Sequence, residues 1–202
     1  LQLPEDRESL EWLAEHYAGA DEKEKASAKA EVLLRLAERS NDHEGILHWT
    51  GFLLELNPQR ADILDKRAST LVEVGRPEES AEILWQLALV VRKKDKAAEQ
   101  GACLRLLDLG AGRLDLRREA AERLFEFNME RRARSELQSV AEAYLENKEP
   151  AKANEIYRSL LRRYPEADEY HIALAEVLEK TGQGARAIER RLVLHEIYRK
   201  SD

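Results

Sequence analysis

The chain has 202 residues, a length for one or two ordinary domains, with 33 Lys+Arg against 40 Asp+Glu and a net charge of −7. Only 6% of residues are aromatic, and 9 glycines and 5 prolines punctuate a mixture dominated by Ala, Leu, Glu, Arg and Lys. This composition disfavours a β-sandwich or barrel, and 43% hydrophobic residues exclude wholesale disorder. A single cysteine, Cys103, excludes an intramolecular disulfide and a cysteine-based zinc site.

In chain order, apolar residues recur at helical spacing in runs of about 13–17 residues, broken by short polar turns. The first run, 4–18, puts Leu10, Leu13, Ala14 and Tyr17 on one helix face. Turns follow at Ser40-Asn41-Asp42, Asn57-Pro58, Gly75-Arg76-Pro77, Gly110 to Gly112, Asn147 to Pro150, Tyr164-Pro165 and Thr181 to Gly184. Asn41 or Asp42 suits a helix N-cap; Pro77 and Pro150 suit a first helical turn, where a missing N–H costs nothing. Gly75, Gly110 and Gly182 stand where helices should end. The sequence therefore predicts an all-α fold. The chain opens at Leu1 without methionine and is expected to be an excised segment or a processed chain. The N-terminus has no signal-peptide pattern, and the most apolar stretch, Ile83 to Val91, is too short to span a bilayer.

The segments repeat. Leu137, Val140, Ala141, Tyr144, Ala153, Tyr157 and Leu160 are followed 34 positions later (141 to 175, for example) by His171, Leu174, Ala175, Leu178, Ala187, Arg191 and Leu194. Small residues hold the same places, where two helices would cross closely. Trp85, Tyr144 and Tyr157 are expected to fill space between repeats. Leu64, Ala68, Leu71, Gly75, Ala81, Trp85 and Ala88 form an earlier copy; Gly45, Trp49, Phe52 and Pro58 form part of one before that.

These positions resemble the tetratricopeptide repeat (TPR), a helix–turn–helix unit of 34 residues. The resemblance divides the chain into a preceding helix and linker at 1–25, repeats at 26–60, 61–95, 134–167 and 168–202, and a divergent one at 96–133 with an insertion around AGRLD. It implies a TPR-type α-solenoid of antiparallel helix pairs in a right-handed superhelix, with first helices lining a concave face. Leu192, Leu194, Ile197 and Tyr198 on the last helix would still need cover from a further repeat or a dimer contact.

Catalytic chemistry finds little foothold. His43 and His48 are too poorly spaced for a metal pair, and His16, His171 and His195 read as surface or edge-of-core residues. Cys103 reads as a small core residue, and Gly110-Ala111-Gly112 lacks the partners of a phosphate loop. Glu78-Glu79 is a helix-start charge pair. The expectation is a non-enzyme without metal or cofactor.

The resemblance assigns the concave face to Asp62, Asp65, Lys66, Ser69, Val72, Glu73, then Ser135, Gln138, Ser139, Glu142, Leu145, Glu146, then Glu169, Ile172, Ala173, Glu176, Glu179 and Lys180. Acids dominate there, and the arginines Arg117, Arg118, Arg123, Arg131, Arg132, Arg158, Arg162, Arg163, Arg190 and Arg191 fall to the second helices. A solvated face with i,i+4 pairing accounts for this pattern equally well. An acidic groove excludes nucleic acid, which needs a basic stripe. It also lacks the cations with which TPR co-chaperones hold acidic tails, since Asp65, Ser69, Gln138, Glu142 and Glu176 take their places. The expected partner-binding residues are Asp62, Asp65, Glu73, Glu142, Leu145, Glu146, Glu169, Ile172, Glu176 and Glu179.

The Leu/Arg/Ala-rich, lysine-poor style is similar to the periplasmic TPR arms of bacterial outer-membrane exopolysaccharide exporters of the Pel type. That resemblance implies a protein partner such as a polysaccharide-modifying enzyme or a basic segment, or a cationic polymer, and favours the periplasm over the cytoplasm. It implies no membrane insertion by this segment. The alternatives are a structural module that forms homo-oligomers and a cytoplasmic regulatory adaptor.

Overall fold

A computed structural model describes residues 6–110 and 113–201. Among them run eleven α-helices: α1 (Arg7–Gly19), α2 (Lys23–Arg39), α3 (His43–Leu56), α4 (Ala61–Glu73), α5 (Pro77–Val91), α6 (Lys96–Asp108), α7 (Leu114–Leu124), α8 (Glu130–Glu146), α9 (Pro150–Arg163), α10 (Asp168–Lys180) and α11 (Gly184–Ser201). A 3-10 turn, Phe125–Phe127, follows α7, and no strand occurs among the described residues. The all-α expectation holds. The helix expected over 4–18 starts later, at Arg7, because the Asp6 carboxylate accepts from the Ser9 N–H at 2.7 Å and caps it. Positions 1–5, 111–112 and 202 of the expected segments lie outside the described residues.

The chain divides into two compact units, Leu1–Arg113 and Leu114–Asp202. The division falls within 96–133, the stretch that fits the repeat least well. In the first unit each helix from α1 to α6 packs on the next in sequence, and in the second α7 to α11 do the same. Neighbour-on-neighbour packing is what helices with a broad apolar face and no other cover require.

Alanines set the closeness of that packing. Ala14, Ala30 and Ala68 in the first unit, and Ala141, Ala153, Ala175 and Ala187 in the second, are buried to within 1% of complete. Around them the first unit packs Leu10, Leu33, Trp49, Leu53 and Ile63. The second packs Leu137, Val140, Tyr144, Ile156, Tyr157, Leu160, Tyr170 and Leu174, with Tyr144 and Tyr157 buried as expected and Trp85 of the first unit half-buried. Cys103 is a core residue. His171 corrects the surface or edge-of-core expectation: it is buried, because it occupies the core place that Leu137 holds one repeat earlier, and its Nε2 meets the Pro165 carbonyl at 2.9 Å.

The turns follow the residues singled out from sequence. Asp42 caps α3 by accepting from Gly45 N at 2.9 Å, and Pro77 and Pro150 open α5 and α9. Gly75 adopts φ +74°, and the Arg76 N–H then closes onto the Leu71 carbonyl at 2.8 Å. The same closure joins Glu149 N to Tyr144 O at 2.8 Å, but there the left-handed residue is Lys148, φ +59°. A side chain at that φ crowds its own carbonyl, which a glycine avoids.

α8 begins at Glu130, four positions before the repeat start expected from sequence, because left-handed Asn128 (φ +59°) ends the 3-10 turn and lets the chain restart. Arg131 and Arg132 therefore lie on α8 and not on a second helix. On α11, Ile188 and Leu192 are each 60% exposed, and Val193 and Tyr198 also face solvent.

Two substitutions test the turn chemistry. Lys148→Gly should stabilise the fold by about 0.5 kcal/mol, and Gly75→Ala should cost about 1 kcal/mol, since no neighbouring atom lies within 4 Å of the added methyl and only backbone strain acts. Urea denaturation followed by circular dichroism reads both changes.

Candidate functional site

In the first unit, α4 presents Asp62, Asp65 and Glu73 to solvent. Asp62 and Asp65 already have a cation, and Glu73 lies beside an imidazole. Arg60 holds Asp62 at 2.5 Å and Glu31 of α2 at 2.6 Å, so the Asp62 carboxyl sits below its ordinary range. Arg105 of α6 pairs with Asp65 and also donates to Ser69 Oγ at 3.0 Å. Glu73 meets His43 at 3.7 Å, and Lys66 pairs with Glu38 at 2.5 Å. Asp65 thus ties α4 to α6, and Arg60 and Lys66 tie the α4 segment to α2.

The second unit differs. Of the expected residues on α8 and α10, Glu169 pairs with Arg134 at 2.7 Å and Glu179 with Arg191 at 2.9 Å. Glu142, Glu146 and Glu176 are exposed and make no ion pair among the described residues. Ile172 is 43% exposed and Leu145 half-buried, which adds an apolar component. Buried Tyr157 of α9 registers this geometry. Burial raises its phenol above the ordinary value, and the Glu142 and Glu176 carboxylates raise it further. Two acids one repeat apart therefore act on one phenol.

Arg134 fixes α8 against α10 beside this face. Its guanidinium lies 4.6 Å from the Tyr164 ring centre and 5.4 Å from that of Tyr170, and donates to the Tyr170 hydroxyl at 2.6 Å. The Tyr164 hydroxyl donates to Glu130 at 3.1 Å. Sequence reasoning missed Arg105 and Arg134 because it assigned the basic side chains to second helices. For Arg134 the signal was an acid, Glu169, about one repeat later; Arg105 lies 40 residues after Asp65 and gave none. Among the described residues no group of three or more His, Cys, Asp or Glu could hold a metal ion, and no helix is long and apolar enough to cross a membrane.

Residues 134–177 match the tetratricopeptide repeat family. This segment runs through α8, α9 and most of α10, so the unpaired carboxylates Glu142, Glu146 and Glu176 all lie on a matched tetratricopeptide repeat. Among solved structures, the chain is similar to MamA from Desulfovibrio magneticus RS-1, with 14% identity, 87% of this chain and 97% of that one covered, and a TM-score of 0.35. A signal-transduction ATPase with a tetratricopeptide repeat sensor from Pyrococcus horikoshii shows 15% identity and a TM-score of 0.42, over 96% of this chain and 36% of that one. A Podosopora anserina putative kinesin light chain with TPR-like repeats shows 16% identity, 100% and 99% coverage, and a TM-score of 0.38. None of the curated proteins matches at a significant level.

Two measurements check this geometry. Arg134→Ala should destabilise the second unit by about 1–3 kcal/mol, with Arg134→Lys recovering part, because an ammonium lacks the planar fork. In ultraviolet titration, Glu142→Gln with Glu176→Gln should lower the Tyr157 midpoint. The folded phenol holds its proton more tightly than the unfolded one, so its contribution to stability is full below pH 10.0 and is lost as pH rises through the folded value.

Proposed function

We propose that the chain is a non-catalytic protein-interaction scaffold, and that Glu142, Glu146 and Glu176, with Ile172 and Leu145, form the surface that receives its partner. The observation that carries this reading is that Glu142, Glu146 and Glu176 are exposed on a segment that matches the tetratricopeptide repeat, with none of the three in an ion pair among the described residues. Carboxylates left in water at one face steer a cationic partner into contact, and exposed Ile172 supplies short-range apolar area once it arrives.

The other expected residues fill a supporting role in this reading. Asp62, Asp65, Glu169 and Glu179 are engaged by cations of the chain itself, so a partner would have to displace Arg60, Arg105, Arg134 or Arg191 to use them, and Glu73 lies beside the His43 imidazole. The sequence divisions at 26–60, 61–95, 96–133, 134–167 and 168–202 are proposed as the repeats of the scaffold. The similarity in residue style to the periplasmic arms of Pel-type exopolysaccharide exporters supports a partner that is a polysaccharide-modifying enzyme, a basic protein segment or a cationic polymer.

Calorimetry of the full chain with a lysine- and arginine-rich peptide tests the surface at low and high salt. Glu142→Gln with Glu176→Gln should weaken binding about tenfold and flatten its salt dependence. Binding that is unchanged by these substitutions sinks the reading.

A further inference from the structure

The arginines of the second unit gather at a place the acidic face does not use. On α9, Asn154, Arg158, Leu161 and Arg162 follow one another at i, i+4, i+7 and i+8 and so share a side. On α11, Arg186, Glu189 and Arg190 face the same recess, and Leu174 and Leu178 of α10 form its floor. The recess consists of two adjoining cavities of about 210 and 240 Å³, which share Arg158, Leu174 and Arg190. None of Arg158, Arg162, Arg186 and Arg190 has a carboxylate partner among the described residues; Arg186 donates to Gln183 Oε1 at 2.8 Å. Guanidinium groups around an apolar floor suit a segment with an apolar anchor between carboxylates.

The chain itself carries such a segment. On α1, Trp12 is 61% exposed, although tryptophan is highly buried on average. It stacks on His16 with ring centres 4.8 Å apart. Glu8, four residues before it, and Glu15, three residues after, lie on the same outward face, and neither has an ion pair among the described residues. Leu10 and Ala14 face the other way, into the core. α1 is itself acidic, with Glu8, Glu11 and Glu15 against Arg7.

We propose that α1 of one copy docks into the α9–α11 recess of a second copy, with Trp12 as the apolar anchor and Glu8 and Glu15 facing Arg158, Arg162, Arg186 and Arg190. The contact joins two different surfaces, so it is heterologous and propagates into rings or chains of copies. A nucleic acid fits the recess less well. It would want a basic stripe, whereas this one is short, has Glu189 in its wall and leucines in its floor. The contact uses no residue of the acidic face on α8 and α10 and stands independently of that surface.

Sedimentation velocity of the full chain over a concentration series tests the docking. The mean mass should rise with concentration, and salt should weaken the association. Arg158→Glu with Arg190→Glu, and separately Trp12→Ser with Glu15→Lys, should each weaken it about tenfold or more. An equimolar mixture of the two variants should form a complex of two chains and nothing larger, since each supplies the surface the other lacks. Circular dichroism verifies that helicity is kept; Glu8→Gln with Glu15→Gln, confined to exposed carboxylates, reads the same loss if either variant misfolds. Glu142→Gln with Glu176→Gln should leave self-association intact, which separates this contact from the partner surface. A wild-type chain that stays monomeric, a single-surface variant that associates like wild type, or a mixture that stays monomeric overturns the proposal.

Discussion

Close approach of helix backbones at alanine is the constraint on which the other features depend. Ala141 and Ala153, and their counterparts Ala175 and Ala187, are almost completely buried, as are Ala14, Ala30 and Ala68. A methyl group at a crossing permits contact that a leucine would block, and larger residues such as Tyr144, Tyr157 and Leu160 then fill the flanks. With apolar burial achieved against sequence neighbours, the outward faces of α4, α8 and α10 carry charge in water. Charge can be distributed there for other purposes.

That charge is used in two ways. Part of it links helices one repeat apart, as Arg60 does with Glu31 and Asp62, Arg105 with Asp65, and Arg134 with Glu169. Exposed pairs of this kind contribute little each, but Arg134 also lies against two tyrosine rings, where a weakly hydrated planar cation gains more. Another part is in no ion pair among the described residues and is divided by sign: carboxylates at Glu142, Glu146 and Glu176 on α8 and α10, guanidinium groups at Arg158, Arg162 and Arg190 around the α9–α11 recess. Unpaired like charges repel one another and persist at low cost only while water solvates them. Such surfaces are where a partner of the opposite sign gains most.

The repeat, the buried alanines, the cap at Asp42 and the turn at Gly75 were legible in the sequence because each depends on local spacing or on the conformational range of one residue. Lys148 was not legible as a left-handed residue, since its side chain does not favour that φ and the closure between Glu149 and Tyr144 imposes it. His171 was misjudged for a related reason: its polarity suggested an edge, while its repeat position places it inside, where the Pro165 carbonyl meets Nε2 and Nδ1 has no hydrogen-bond partner among the described residues. Of the candidate site, the residues on α8 and α10 were nameable from their phase in the repeat. Which of them are engaged by a cation was not, because the partners lie 35 residues away in Glu169–Arg134 and 40 in Asp65–Arg105.

By itself the sequence determined that this chain is a series of amphipathic helices with small residues at repeating crossings, since helical period and residue size are local properties. It also determined a net charge of −7. Only the tertiary structure decided which charges remain in water, because pairing depends on what each neighbouring helix places opposite a carboxylate. Asp65 and Glu142 are both exposed acids on helices of the same kind, yet one pairs with Arg105 and the other is in no ion pair among the described residues.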